Sequence, residues 1–296
     1  SDFKNKDNLL GSAYDADSEG VEGKFYTWKY EDLRNILEKD LELLKKKYEI
    51  TENGNFEGLN ILVEKNNHQL TVDQYEKIKK IEEKLKSIRD KRIKPFFDDK
   101  TQTDLNSYWI YSILHSSFIL NDKKLFDQAN EYFNKLKKIL SKNVYHCYDK
   151  DRKEIDVFLE DYSYFCLLLV SMYEIKNDKE SIKLCSELMK YTWENFYDEE
   201  NVILQKNIKT NNDLFVKPID IIDNNIPNGN SIFLLVCNKL FNITGDTFWE
   251  EKIVNLKKSF HSFLNNSFSQ MFSYIKIIDI CEQNLTITFH GNNEEL

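Results

Sequence analysis

The chain has 296 residues, of which 41% are hydrophobic and 31% charged, with a net charge of −9. That composition is that of a globular protein with a sizeable core rather than a disordered or fibrous chain. Acidic balance without a basic, aromatic-interleaved patch excludes nucleic acid as the expected partner, and no stretch is long and apolar enough to span a membrane.

Only 8 Gly and 3 Pro interrupt the chain, which favours long helices over many short strands. The first dense polar signal runs from Gly11 to Trp28. Asp15, Asp17, Glu19 and Gly20 mimic the opening of a calcium loop, but the twelfth position, where a bidentate Glu is needed, is Tyr26. A tight polar turn held by Asx hydrogen bonds is one reading of this loop, and a pocket-lining carboxylate loop is the other. Tyr30 to Tyr48 reads as one helix, with Leu33, Leu37, Leu41 and Leu44 on one face. A further helix starts at Thr71, where Gln74 completes a capping-box pattern, and Pro95 ends it.

From Asp104 onward the chain repeats. Three segments, Asp104 to Leu140, Glu160 to Phe196 and Pro227 to Leu264, each open with a polar cluster and continue as an apolar run. Each then breaks at a short turn and resumes as an amphipathic helix. The turns Asn121-Asp122, Asn177-Asp178 and Gly245-Asp246 fall 56 and 68 residues apart. Repeats of this size built from helix pairs predict a solenoid or a closed toroid. The first helix of each pair is apolar all round, as in Phe165 to Val170, and must be buried on every face. The second carries a single stripe, as in Trp249, Ile253, Leu256, Phe260 and Phe263. An inner ring wrapped by an outer ring accounts for this alternation. Gln270 to Cys281 reads as another helix, bringing the count to about nine, and Leu285 to Phe289 alternates like a short strand.

Cys147, Cys166, Cys185, Cys237 and Cys281 are odd in number and widely spaced, which argues against a disulfide framework or a zinc site. Buried free thiols and a reducing, cytoplasmic setting are expected. The histidines (His68, His115, His146, His261, His290) show no metal-ligand spacing, and no metal site is expected. No glycine-rich phosphate loop or nucleophile elbow appears, and no cofactor is expected.

The run Ser12-Ala13-Tyr14-Asp15-Ala16-Asp17-Ser18-Glu19-Gly20-Val21-Glu22-Gly23-Lys24-Phe25-Tyr26-Thr27-Trp28 resembles a signature of the spermatogenesis-associated thioredoxin-domain family. The resemblance continues through Gly54-Asn55-Phe56-Glu57-Gly58 with Asn60-Ile61-Leu62, then Arg89, Arg92, Pro95, Asp98, Asp99, Lys100 and Asn106. Asp161-Tyr162 and Gly229-Asn230-Ser231 extend it, so that it covers roughly Gly11 to Gly291. It implies a thioredoxin-like domain followed by an all-α (α/α) hairpin toroid like that of six-hairpin glycosidases and sugar epimerases. This chain, which starts at Ser1, is expected to be a single partial toroid, incomplete at its N-terminus and with the short C-terminal strand.

Asp104 and Asn106, Glu160 and Asp161, and Asn228 and Asn230 each precede an inner helix. Parallel inner helices would gather these residues at one end, where carboxylates and helix dipoles meet. Asp and Asn are also preferred N-caps, and capping accounts for part of the pattern. Paired carboxylates are what acid–base chemistry on a sugar requires. Asp98, Asp99 and Asp161 are the candidate catalytic residues. Asp15, Asp17, Glu19, Glu57, Arg92, Lys100, Asn106, Tyr162 and Asn230 are the candidate substrate-binding residues, with Arg92 and Lys100 as charge partners. Two readings stand at this point. One is a carbohydrate-binding or carbohydrate-processing pocket with a sugar-directed isomerase or hydrolase-like site. The other is a non-catalytic scaffold that completes or regulates a thioredoxin-like partner chain or self-associates through exposed apolar helix flanks.

Overall fold

A computed structural model describes residues 3–140, 143–149, 152–153, 157–209 and 218–283. The expected strand at 285–290 lies outside these residues. The chain forms two compact units, a smaller one over Ser12–Asp98 and a larger one over Ser1–Gly11 with Asp99–Leu296.

The smaller unit opens with β1 (Ala13–Tyr14) and the hairpin β2 (Asp17–Ser18) to β3 (Val21–Glu22). Positive φ at Glu19 and Gly20 makes the hairpin turn, and Glu19 is ion-paired with Lys24 at 2.8 Å. The single helix expected over 30–48 is two, α1 (Tyr30–Leu37) and α2 (Leu41–Lys47), joined by one 3₁₀ turn. Glu38 stands at φ 47° between them, a left-handed conformation that no glycine or proline announces. Even so, Leu33, Leu37, Leu41 and Leu44 are all buried. They pack with Trp28, Ile78, Ile81 and Leu85 into the unit's own core. β4 (Tyr48–Glu49) pairs with β5 (Val63–Glu64), and α3 (Val72–Arg89) follows with its capping box formed between Thr71 and Gln74. β6 (Phe97–Asp98) returns antiparallel to β1.

The larger unit consists of helical hairpins. β7 (Thr101–Gln102) leads into α4 (Thr103–Ile119), and α5 (Lys123–Ile139) runs back to β8 (Cys147–Asp149), which pairs with β7 and with β9 (Arg152–Lys153). The second hairpin is α6 (Leu159–Lys176) and α7 (Lys179–Phe196), closed by β10 (Tyr197–Asp198) and β11 (Ile203–Leu204). The third is α8 (Gly229–Thr244) and α9 (Thr247–Ser267), followed by α10 (Phe272–Gln283). The described residues thus hold ten α-helices, one more than expected because of the break at Glu38.

The three hairpin turns share one chemistry. Asn121, Asn177 and Gly245 take positive φ and stop the inner helix, and the next residue, Asp122, Asp178 or Asp246, caps the outer one through its carboxylate. α6 packs between α4 and α8, and α10 continues along α8. Each outer helix covers its own inner partner. Accordingly, Tyr162 to Met172 of α6 are buried without interruption, whereas α7 buries one stripe through Ser181, Cys185, Met189, Thr192 and Phe196. All five cysteines are buried and free. At the C-terminal end of α4, Phe118, Ile119 and Leu120 are 75%, 80% and 68% exposed.

Candidate functional site

The inner helices run parallel in the larger unit. At their N-terminal ends Tyr108 of α4 packs on Tyr164 of α6, whose hydroxyl donates to Pro227 O just ahead of α8 at 2.6 Å. At the far ends His115 meets Ser171 and Lys239 pairs with Glu174 at 2.7 Å. The N-terminal turns keep the spacing of the hairpin turns, so Asp104, Glu160 and Asn228 are equivalent, as are Asn106, Tyr162 and Asn230.

Two of these equivalents build the fold. Asn106 accepts from Leu10 N at 2.8 Å and donates to Leu10 O at 3.0 Å. Asn230 does the same to Leu204, at 3.1 and 2.9 Å. A buried carboxamide used in this way satisfies both backbone groups of one residue, as a strand partner would. Tyr162, in the same register, is packed against Tyr191 and Phe196, and burial pushes its hydroxyl pKa up.

Asp161 is fully buried. Its Oδ2 accepts from Phe158 N at 2.9 Å, completing the first turn of α6, and both its oxygens lie 3.1 Å from His146 Nδ1. His146 comes from the segment leading into β8, held there by Thr103 N donating to His146 O at 2.9 Å. The Asp161 hydrogen bond, with a second contact to Cys147, holds the imidazole protonated up to about 10. Burial raises the Asp161 carboxyl to about 6 against the pull of His146. At neutral pH the two therefore form an ion pair. Asp104 joins them, and one ligand atom each from Asp104, His146 and Asp161 lie within 4.8 Å of one another. Among the described residues this is the group with donors suited to a metal ion.

Glu160 lies beside this pair. Its Oε2 is buried without a hydrogen-bond partner, and burial lifts its pKa to about 7 against the attraction of Lys206. Gly229 makes the room: a Cβ there would stand 3.1 Å from Glu160 Oε1 and from Leu159 Cγ. Lys206, paired with Asp220 at 2.9 Å, is the nearby cation. Asp223 ties the start of α8 to α10, accepting from Asn228 N at 3.0 Å and from Ser273 N at 2.8 Å. The assembled end therefore offers a buried carboxyl with one oxygen unpartnered, a carboxylate–imidazole pair, an ammonium and the rings of Tyr108 and Tyr164.

The structure divides the residues expected at the site. Asp15, Asp17, Glu19, Glu57, Arg92 and Asp98 belong to the smaller unit, and Asp99, Lys100, Asn106, Asp161, Tyr162 and Asn230 to the larger. Asp15 accepts from Asp17 N at 3.1 Å in an Asx turn, and Glu57 stands exposed in a turn at φ 48°. Arg92 donates to Phe25 O at 3.0 Å and Thr27 O at 2.7 Å and lies 4.0 Å from the centre of the Trp28 ring. The charge partner of Arg92 is thus the backbone of the signature loop. Asp98 sits on β6, and Asp99 pairs with Lys6 at 3.7 Å. Lys100 is half-buried just before β7. The smaller unit also has a cleft of about 360 Å³ with mixed charge, lined by Lys29, Glu31, Arg34 and Glu52 among others.

Glu160 stands in one of the polar clusters ahead of the inner helices but is not among the candidate site residues of the sequence. The adjacent Glu160-Asp161 doublet was the available signal, since one cap needs one side chain. His146, Lys206 and Asp220 had none, because loops that return from the outer helices deliver them.

No family model and no curated protein matches the chain. Solved structures do. A family GH76 α-mannanase of Bacteroides thetaiotaomicron is similar with a TM-score of 0.50 and 15% identity, covering 63% of this chain and 54% of the other. The GH76A α-1,6-mannanase of Salegentibacter sp. is similar with a TM-score of 0.44 and 15% identity, over 76% and 69% of the two chains. Cellobiose 2-epimerase of Bacillus thermoamylovorans matches with a TM-score of 0.43 and 14% identity, over 53% and 43%. The chain spans about half the length of the first structures it matches, from 45% to 54%. The fold is an α/α hairpin toroid of the six-hairpin glycosidase type.

Proposed function

We propose that the N-terminal end of the inner helices binds a carbohydrate-type ligand and performs acid–base chemistry on it, with Glu160 as the residue that exchanges the proton. The observation that carries this reading is the buried Glu160 Oε2 without a hydrogen-bond partner, on a carboxyl packed against Gly229. A buried acceptor without a partner is costly, and a ligand hydroxyl or glycosidic oxygen placed there removes that cost. Asp161, fixed by Phe158 N and His146, supplies the second carboxylate of the pair. In a hydrolytic reaction one carboxyl protonates the leaving oxygen while a carboxylate activates water; in an isomerisation the same groups remove and return a proton. Tyr108 and Tyr111, stacked at 6.1 Å and only half-buried, supply an aromatic surface of the kind that packs against a sugar ring. The fold, which sugar hydrolases and epimerases also use, supports the reading by analogy alone.

A thermal-shift screen with neutral mono- and disaccharides tests it. At least one sugar is expected to raise the melting temperature of the native chain, and Glu160→Gln is expected to remove that shift while keeping the fold. Where turnover is found, Glu160→Ala is expected to lower kcat by about 10²–10⁴-fold, the usual contribution of a positioned acid or base. A native chain that no sugar stabilises overturns the proposal.

A further inference from the structure

We infer that Asp104, His146 and Asp161 form a binding site for one first-row divalent metal ion. The three side chains come from three places in the larger unit: the first turn of α4, the segment ahead of β8 and the first turn of α6. Each offers one ligand atom, and these atoms lie within 4.8 Å of one another. Donors bound tetrahedrally at about 2.1 Å stand about 3.4 Å apart, so the side chains would close by up to about 1.4 Å around an ion.

Three further features favour an ion over a plain polar cluster. The donor set mixes an imidazole with two carboxylates, the combination that suits Zn²⁺ or Mn²⁺, whereas Ca²⁺ takes six to eight oxygen ligands. The carboxylates are pre-oriented: Asp161 Oδ2 accepts from Phe158 N at 2.9 Å and Asp104 Oδ1 from Leu105 N at 2.7 Å. Backbone donors of this kind hold metal-ligating carboxylates in place. The charges also call for a cation. Asp161 is fully buried and Asp104 stands close to it, and a divalent ion that displaces the His146 proton would sit between both carboxylates. Asp104 and His146 are only half-buried, so water or a ligand oxygen can complete the coordination. The inference does not depend on the sugar reading, since an ion can bind here whether or not any carbohydrate does.

The test uses the tag-free native chain, stripped with a chelator and titrated calorimetrically with Zn²⁺ and with Mn²⁺. Binding of one ion per chain is expected, and loading with Co²⁺ is expected to give the visible absorption of a low-symmetry site with a nitrogen ligand. His146→Gln and Asp104→Asn, each checked for native circular dichroism, should weaken binding at least about tenfold, the scale on which even a supporting partner of a metal site acts. Absence of stoichiometric binding by the native chain overturns the inference, as does binding that both variants retain unchanged. Sugar-induced stabilisation without stoichiometric metal binding defeats only this inference, and metal binding without any sugar response defeats only the carbohydrate reading.

Discussion

Single polar side chains do much of the building. Asn106 and Asn230 each hold both backbone groups of a distant residue, and Asn60 treats Thr51 in the same way. Asp178 shows how a cap is tuned. Burial pushes its carboxyl up, but hydrogen bonds from Ser181 Oγ at 2.7 Å and from the N–H groups of Ser181 and Glu180, with Lys137 nearby, outweigh burial and hold its pKa below the usual range. A carboxyl lowered in the folded state stabilises above its unfolded pKa of about 3.9, and that stability is lost as pH falls through the lower folded value. Asp178→Ala is therefore expected to cost about 1 kcal/mol at pH 7. The gap to the native chain should close as pH falls below about 4. Urea unfolding followed by circular dichroism at both pH values checks this; an equal gap at both would contradict it.

At the scale of the element, inner and outer helices answer to different physics. α6 is enclosed by α4, α7 and α8, and a methyl group removed from it leaves a hole that its neighbours cannot fill. Leu168 is fully buried, whereas Val254 on α9 is 58% exposed. Leu168→Ala is expected to destabilise by about 2–5 kcal/mol and Val254→Ala by no more than about 0.5 kcal/mol. Paired denaturation curves measure both, and comparable losses would remove the inner–outer distinction. The same enclosure gathers the chemistry. Helices that start together bring Asp104 and Glu160 to one end, and the segments beside β8 and β11 deliver His146 and Lys206 there.

For the whole molecule, charge and exposed apolar surface act together. The net charge of −9 vanishes near pH 5.3, where repulsion no longer keeps chains apart. Phe118, Ile119 and Leu120 form a contiguous apolar end on α4. Self-association is expected to rise as pH approaches 5.3, and Ile119→Lys should reduce it without altering the fold. Sedimentation velocity at pH 7.5 and pH 5.3 decides, and a monomer under both conditions would refute the expectation.

The local rules were legible in the chain itself. Apolar periodicity separated enclosed helices from half-exposed ones, and each Asn-Asp or Gly-Asp pair marked the turn between two helices, because those signals act over a few residues. The signature loop from Ser12 to Trp28 was legible as a motif, yet its role within the smaller unit appeared only when Arg92 was seen holding the loop's carbonyl groups. The break at Glu38 carried no glycine or proline signal, and the leucines on both sides of it still share one core. The site was legible only as doubled polar residues ahead of inner helices. Which of them serve as backbone clamps, which is left buried without a partner and which meets a histidine depends on distances across the bundle, and only the tertiary structure sets those.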